Sequence, residues 1–418
     1  MPDNSGVTQQ HASLLKGDSG MNKRTMADVS RRACATFVGL SLVFLIGACG
    51  KNDESAGDGG DKVRLVKIGH AGPLTGPIAH LGKDNENCVR LAVQEANAAG
   101  LVIAGEKIRF EMVSEDDEGN PQKGTVVAQK IVDEQVAGVI GHLNSGTTIP
   151  ASKIYHDAGV AQISPSATNV DYTNQGYETA FRVMANDAQQ GKVLGEYAVN
   201  TLNAKKIAVI DDRSAYGKGL ADQFEFAVKG AGGELITREF TDTTKTDFTA
   251  ILTRIKGMSP DLLFYSGMDS QSGPMMKQIK NLGLSVSFLS GDGTQTKQFL
   301  TLAGAEGEGA YASSPGVPLA SMPDGPAFTE KYTKAFNQEI QLYAPYAYDA
   351  TNTLIAAMIE ADSFDSEVYL PVLAKIQYQG VSSHVQFDEK GDIKGGGISL
   401  YKVTNGKWEY IETVGGGS

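Results

Sequence analysis

The most constraining feature of this chain is a regular alternation of short apolar strands with longer amphipathic helices. Val63–Ile68, Val136–Ile140 and Lys206–Ile210 are runs rich in β-branched and aliphatic residues. Gly82–Ala99 and Ala215–Ala231 follow two of these runs and carry apolar residues at helical spacing. Strands that alternate with such helices predict βαβ units and parallel sheets, so we expect an α/β protein.

The alternation falls into two series, which predicts two sheets. An irregular stretch at Val183–Asp187 separates them, and the C-terminal third adds helices and short strands that must return to complete one or both sheets. Strands are expected at Val385–Phe387 and Ile398–Val403, with Asp388–Asp392 as a hairpin turn between them. Because such sheets bind ligands at the carboxyl ends of their strands, the functional residues are expected in the loops there.

Residues 1–48 have the composition of an export signal rather than of a folded domain. Two arginines precede a short apolar run over residues 33–49, which is typical of a secretory signal and marginal in length for a transmembrane helix. The run ends in Ile-Gly-Ala-Cys, which resembles the bacterial lipobox and implies lipidation of Cys49. An ordinary cleavable signal, with Cys49 incidental, is the alternative. Residues 49–61 are polar and glycine-rich, which favours a flexible tether.

Composition and the absence of several motifs limit the functions that this chain is expected to have. A formal net charge of −12 argues against a broad phosphate-binding face, so no nucleic acid partner is expected. Three cysteines exclude a disulfide scaffold. There is no nucleophile elbow, no glycine-rich dinucleotide loop after a strand and no pair of histidines at zinc-helix spacing. We therefore expect no enzyme, no cofactor and no metal. Cys88 is predicted to be a small core residue, and His142 to be either a hydrogen-bonded structural residue or a base or ligand.

Two hydroxyl-rich loops follow consecutive predicted strands. Ser145–Thr148 lies at the start of a helix, and Ser164–Asn169 follows the next strand. Hydroxyls and free N–H groups at a helix N-terminus favour an anion, so the two loops together could hold one carboxylate. Plain N-capping of the helix is the alternative. Asp292, at a later strand end, is a candidate to face an ammonium, or else a turn residue between glycines.

Six motifs in one order and spacing resemble the type I periplasmic binding proteins of branched-chain amino acid transporters. They are G-P-L-T-G-P at 72–77, V-I-G-H-L-N-S at 139–145, I-S-P-S-A-T at 163–168, A-Y-G-K-G-L-A at 215–221, Y-A-Y-D-A at 346–350 and F-D-E-K-G-D-I-K-G at 387–395. The resemblance implies two doubly wound lobes of parallel sheet joined by three crossovers, with the ligand in the cleft between them. By this resemblance, lobe 1 comprises residues 62–184 and 315–384, and lobe 2 comprises residues 185–314 and 385–414.

The resemblance also implies roles for individual residues. Ser145 and Thr168 would bind a ligand carboxylate, and the carbonyls of Leu143 and Ser166 would accept from its ammonium. Asp292 would pair with that ammonium. Tyr216, from the second lobe, would be the aromatic residue that closes over the ligand. The cleft wall would include Leu81, Met268 and Tyr343.

Some positions depart from the family pattern. Asp292 stands where the family commonly has Glu, and Leu81 and Met268 replace aromatic residues, so the preferred side chain of the ligand stays open. Gly119 and Asn144 occupy the positions of the family's small disulfide.

The expected function is therefore that of a lipid-anchored, extracytoplasmic binding protein of an ABC importer. It would be a monomer that closes by a hinge on a branched-chain or other aliphatic amino acid and then meets an ABC permease. Two alternatives use the same fold. The ligand could be an amide, urea or an aromatic acid, or the chain could be the ligand-sensing module of a regulatory system.

Overall fold

The computed structural model describes residues 63–416. The predicted signal at 1–48, the predicted lipidation site Cys49 and the tether at 49–61 lie outside the described residues. Within residues 63–416, no helix combines the length and apolarity that a membrane span requires.

The first sheet, which forms the centre of lobe 1, has six strands. They are β1 (Val63–Gly72), β2 (Val102–Ile103), β3 (Glu106–Asp116), β4 (Val139–Gly141), β5 (Gln162–Ser164) and β6 (Ala180–Arg182). Their order in the sheet is β2-β3-β1-β4-β5-β6. The connecting helices are α1 (Ala79–Ala98), α2 (Pro121–Asp133), α3 (Ser145–Asp157) and α4 (Asp171–Asn174). All pairings are parallel except that of the short edge strand β2 with β3.

The second sheet, the centre of lobe 2, has seven strands. They are β7 (Lys206–Asp211), β8 (Glu234–Phe240), β9 (Leu262–Ser266), β10 (Ser287–Ser290), β11 (Tyr311–Pro315), β14 (Gly397–Thr404) and β15 (Lys407–Gly415). Its helices are α5 (Asp187–Glu196), α6 (Ala215–Gly230), α7 (Thr249–Met258), α8 (Asp269–Asn281) and α9 (Lys297–Ala303). The order is β15-β14-β11-β10-β9-β7-β8, and β14 and β15 are antiparallel to their neighbours. The sheets are therefore mixed, with antiparallel edges on otherwise parallel sheets.

Three passages of chain connect the lobes. The first runs from β6 to α5, and the second leaves β11 for helices that return to lobe 1, which are α10 (Gly325–Phe336), α11 (Ala344–Glu360) and α12 (Ser366–Leu373). The two-stranded ribbon of β12 (Tyr378–Gln379) and β13 (His384–Val385) follows, and the third passage enters β14.

The third passage lies later in the chain than the sequence predicts. Phe387 packs in the lobe 1 core against Phe181, with ring centroids 4.9 Å apart, and Asp392 pairs with Arg182 of β6. The expected start of the lobe 2 segment at residue 385 is therefore too early by about ten residues. The predicted turn does form, but it brings Phe387 beside Ile393 rather than joining β13 to β14. Turn residues determine the local geometry of the turn but not which strand follows it. The sequence therefore predicts the turn correctly but not the strands that it joins.

Cys88 and His142 are both structural residues. Cys88 is a fully buried free thiol on the face of α1 that packs against α10 and α11. The His142 ring is fully buried, with Nδ1 2.7 Å from Asp117 Oδ2 and Nε2 3.0 Å from the Tyr155 hydroxyl. Because both ring nitrogens have partners inside lobe 1, His142 does not face the cleft as a base or ligand.

Candidate functional site: the cleft between the lobes

The carboxyl ends of β4 and β5 bring the two hydroxyl loops together, as the sequence predicts. Ser145 is the first residue of α3, and its Oγ accepts from the Asn169 N–H in the second loop over 3.2 Å. The Ser145 hydroxyl proton therefore remains available to a ligand. Thr168 is fully buried, and its Oγ completes no hydrogen bond among the described residues, although its hydroxyl is close enough to lower the pKa of the buried Asp187 carboxyl. A buried hydroxyl without a partner is costly, which favours a ligand that accepts from it.

The Leu143 carbonyl, one of the two predicted acceptors for the ligand ammonium, already accepts one hydrogen bond within the protein. The Ser166 hydroxyl donates to the Leu143 carbonyl over 3.1 Å. A second acceptor lone pair remains on this oxygen, so the bond does not exclude a ligand N–H. Ser166 is itself held near Asn85, whose side-chain amide lies 3.5 Å from the Ser166 Oγ.

Asp292 occupies the lobe 2 side of the cleft, in a single helical turn directly after β10. Its Oδ1 accepts from the Tyr216 hydroxyl over 2.8 Å and its Oδ2 from the Tyr343 hydroxyl over 2.6 Å. Burial raises the pKa of Asp292, although the hydrogen bonds from Tyr343 and Tyr216 oppose this rise. Burial likewise raises the pKa of both tyrosines well above the usual value, so their hydroxyls remain donors.

Gly293 lets this turn approach the cleft closely. A Cβ at this position would lie 2.7 Å from both the Gly267 carbonyl oxygen and Met268 Sδ, closer than side chains tolerate. The Gly293 N–H also lies 3.2 Å from the Tyr216 hydroxyl. Glycine is therefore required beside Asp292 for steric reasons, a role that the sequence does not indicate.

A small cavity of about 10 Å³ lies between the two lobes at this point. It is lined by Leu143, Asn144, Ser145, Ser166, Tyr216, Met268, Asp292 and Tyr343. The structure thus brings together all the predicted site residues except two. Thr168 is buried but is not part of this lining, and Leu81 is fully buried in the lobe 1 core, in the same cluster as Leu143 and Tyr343.

Further contacts hold the lobes together around the cavity. His80 Nε2 on α1 lies 2.8 Å from Asp269 Oδ2 at the start of α8, and Thr296 donates to the same oxygen over 2.7 Å. The Asn169 side-chain amide donates to the Ala215 carbonyl over 2.6 Å. An exposed ion pair between Lys297 and Glu339 also joins the lobes.

The contacts that His80, Asp269 and Asn169 make across the cleft are not predicted by the sequence pattern. His80 and Asp269 are each adjacent in sequence to a predicted wall residue, and this adjacency was the available signal. The pairing itself depends on how the two lobes pack together, and the sequence pattern does not predict that packing.

Gly119 and Asn144, the positions of the family's disulfide, are neighbours. A Cβ on Gly119 would lie 3.2 Å from the Asn144 side-chain oxygen. Cys88 is the only cysteine among residues 63–416, so no disulfide forms there. Nor does that part of the chain contain a cluster of three or more His, Cys, Asp or Glu side chains able to hold a metal ion.

Comparison with known proteins agrees with this geometry. The sequence model of the family described as periplasmic binding protein matches residues 65–407. The Leu/Ile/Val-binding protein homolog 1 of Brucella suis biovar 1 (strain 1330) is 35% identical over 358 residues, which cover 85% of this chain and 95% of that protein. The amino acid binding protein of Pseudomonas aeruginosa is 36% identical over 341 residues, which cover 81% of this chain and 89% of that protein.

A solved structure extends the likeness to three dimensions. The branched-chain amino acid transporter substrate binding protein LivJ from Streptococcus pneumoniae, in complex with isoleucine, has a TM-score of 0.77 and 29% identity. The match covers 84% of this chain and all of that one. The chain belongs to the periplasmic binding protein family and has the type I fold of that family, which functions outside the cytoplasm. Within the family it falls among the substrate-binding proteins of branched-chain amino acid ABC transporters.

Proposed function

We propose that the protein binds a free aliphatic amino acid, of the leucine, isoleucine or valine kind, in the cavity between its lobes. One observation carries the proposal. A buried carboxylate, Asp292, lines the cavity from lobe 2, as does Ser145 at the N-terminus of α3 in lobe 1, and the buried Thr168 hydroxyl belongs to the neighbouring loop of lobe 1. These groups are complementary to the ammonium and the carboxylate of a zwitterion.

The mechanism follows from the division of these groups between the lobes. The ligand carboxylate docks first on lobe 1, through Ser145 and Thr168. Hinge closure then brings Tyr216 and Asp292 of lobe 2 onto the ammonium side, and Met268 and Tyr343 cover the side chain. Ligand binding therefore selects the closed conformation, and an ABC permease recognises that conformation. The protein acts as a monomeric binding protein and not as an enzyme.

The N-terminal segment suits this role. Lipidation of Cys49 after removal of residues 1–48 would anchor the protein to the membrane through a lipid alone, with residues 49–61 as tether. Mass spectrometry of the protein from its native membrane tests this step. A diacylglyceryl-modified Cys49 at the mature N-terminus supports it, and an unmodified cysteine contradicts it.

Isothermal titration of the purified protein tests the ligand class. The panel contains leucine, isoleucine, valine and phenylalanine, with 4-methylpentanoate, benzoate and acetamide as ligands that lack an ammonium. We expect micromolar or tighter binding of at least one aliphatic amino acid and weaker binding of every ligand without an ammonium. Binding of benzoate or acetamide in the absence of any amino acid response would favour the alternative ligand classes and reject this proposal.

A further inference from the structure

Asn169, the last residue of the second hydroxyl loop, is buried and held by several hydrogen bonds within lobe 1. Its backbone N–H donates to Ser145 Oγ over 3.2 Å, and its backbone carbonyl accepts from the fully buried guanidinium of Arg182 over 2.8 Å. Its side-chain oxygen accepts from the Asp171 N–H over 2.7 Å. The position of Asn169 is therefore determined by Ser145 and by the loop that carries Thr168.

The side-chain NH₂ group of Asn169 reaches across to lobe 2. It donates to the Ala215 carbonyl over 2.6 Å. The orientation of the amide is defined, because its partner in lobe 1 is a donor and its partner in lobe 2 is an acceptor. Ala215 begins α6, and the next residue is Tyr216, which donates to Asp292. One amide thus joins the loop that is proposed to hold the ligand carboxylate to the helix that carries Tyr216.

Gly219, one turn further along α6, allows this amide to approach the helix. A Cβ at position 219 would overlap Asn169 Nδ2 and would lie 3.1 Å from its Cγ. The Asn169 side chain cannot move aside without losing its hydrogen bonds to Asp171 and Ala215. The third nearest atom is Asp187 Oδ2 of lobe 2, at an ordinary contact distance of 3.4 Å. The overlap would therefore occur between the lobes and not within lobe 2.

The fold of lobe 2 does not by itself require glycine at position 219. Gly219 lies inside α6 and does not have a positive φ, and alanine forms helices better than glycine. Gly217, in the same motif, differs from it. A Cβ there would overlap Asp212 Oδ1 and would lie 2.7 Å from the Ser266 carbonyl oxygen, both in lobe 2. Of these two glycines, the fold of lobe 2 requires Gly217, and only the contact between the lobes requires Gly219.

We propose that Asn169 is a positioning residue that couples an occupied carboxylate site to closure of the lobes, and that Gly219 provides the space which this residue needs in the closed form. The inference rests on the proposed function, because it takes the ligand carboxylate to bind between Ser145 and Thr168. A carboxylate bound there restrains the loop, and the loop holds the Asn169 amide where α6 arrives on closure. A methyl group at position 219 opposes closure and has no effect when the lobes are apart.

The test is the substitution Gly219→Ala, with Gly230→Ala as the matched control. Gly230 is the exposed last residue of the same helix, and a Cβ there would meet no atom within 4 Å. We expect Gly219→Ala to bind leucine about 5-fold to 150-fold more weakly in titration calorimetry, the range for an overpacked contact. Gly230→Ala should bind leucine within about twofold of the unmodified protein.

The stability of the ligand-free protein should not fall with the affinity. In urea unfolding without ligand, Gly219→Ala should have a midpoint no lower than that of the unmodified protein, because alanine favours the helix and an open form avoids the overlap. A substitution that only damaged the fold of lobe 2 would lower this midpoint.

Asn169→Ala identifies the source of the overlap. This variant loses the hydrogen bond to the Ala215 carbonyl, so it should bind leucine about 2-fold to 13-fold more weakly. Adding Gly219→Ala to it should change the affinity by no more than about twofold, because the amide that the added methyl group would meet is absent.

The outcomes separate this inference from the proposed function. Failure of the unmodified protein to bind any amino acid rejects the proposed function and the inference with it. If leucine binds, equal affinities of Gly219→Ala and Gly230→Ala reject the inference alone. An equal loss from Gly219→Ala with and without the Asn169 side chain also rejects it. A Gly219→Ala protein that is less stable or does not fold rejects it too, because the overlap would then lie within lobe 2. If Asn169→Ala does not fold, the comparison of Gly219→Ala with Gly230→Ala decides the question.

Discussion

The hydroxyl of Tyr343 in lobe 1 donates a hydrogen bond to Asp292 of lobe 2 over 2.6 Å. Tyr216, from the same lobe as Asp292, donates to the other oxygen of this carboxylate. One buried side chain therefore both joins the lobes and supplies the negative charge of the cavity. Closure of the cleft and recognition of a cationic ligand group are linked through this single residue, because neither can change without altering the environment of Asp292.

Replacing Asp292 should weaken the binding of amino acids much more than the binding of the matching acids without an amino group. Asp292→Asn removes the charge but keeps the shape, and we expect leucine to bind about 30-fold to 5,000-fold more weakly, since a buried ion pair with one partner removed costs about 2–5 kcal/mol. Binding of 4-methylpentanoate should change by no more than about threefold. Titration calorimetry with both ligands provides the comparison, and equal losses would show that Asp292 does not face the ammonium.

Tyr343→Phe should weaken closure while leaving the cavity intact. The variant loses a hydrogen bond to a charged group, worth about 1.5–3 kcal/mol, so leucine affinity should fall by about 10-fold to 150-fold. Small-angle scattering at saturating leucine should show a more open ensemble. Tyr155→Phe is the matched control, because its buried hydroxyl contacts His142 within lobe 1. Tyr155→Phe should be less stable but should retain its affinity for leucine. A loss of leucine affinity in this control would show that the effect of Tyr343→Phe is not specific to its contact with Asp292.

Local patterns were sufficient to predict most helices and strands and the two hydroxyl loops of the site. The strand β11 was missed because Tyr-Ala-Ser-Ser-Pro lacks the β-branched residues that mark a strand, and its place in the sheet comes from its neighbours. The closeness of the two loops that carry Ser145 and Thr168 was predictable because consecutive parallel strands end at one edge of the sheet. The surroundings of Asp187, by contrast, are formed by residues that are distant in sequence, and the periodicity of the sequence does not predict which of them come together.

The two hydroxyl loops should contribute to ligand affinity by donating hydrogen bonds to the ligand carboxylate. Ser145→Ala and Thr168→Val each remove one hydroxyl at little change in volume, and each should weaken leucine binding by about 10-fold to 100-fold, the worth of a hydrogen bond to a charged group. Leucinamide, which has the ammonium but no carboxylate, should lose much less. Competition titrations measure both ligands on each variant. Parallel losses for leucine and leucinamide would instead indicate that these hydroxyls only support the local fold.

The contact between His80 and Asp269 should contribute to closure from outside the cavity. His80→Ala leaves the buried Asp269 carboxylate with the Thr296 hydroxyl as its remaining side-chain donor in the described structure, and we expect leucine affinity to fall by about 5-fold to 30-fold. Lys83→Ala, an exposed change on the same helix, is the control and should have no effect. Titration of leucine against both variants provides the comparison. An unchanged affinity in His80→Ala would show that this contact is not coupled to binding.

The ligand-free protein should lose stability as pH rises from 6.5 to 8. The folded-state pKa of Asp187 is about 8 and its unfolded value is about 4, so the folded state holds a proton that the unfolded state has lost. Stability therefore falls through this window, by about 1–2 kcal/mol. The window lies above the pKa of about 6 of the buried Asp84, Asp212 and Asp349 and above that of about 4 of His70.

Urea unfolding at several pH values measures this slope, followed by tryptophan fluorescence or circular dichroism. Asp187→Asn cannot lose the proton, so its free energy of unfolding should vary by less than half as much over the same range. Because no ligand is present, the slope depends on the burial of Asp187 and not on recognition of an amino acid. The same slope in both proteins would show that a group other than Asp187 titrates in this range.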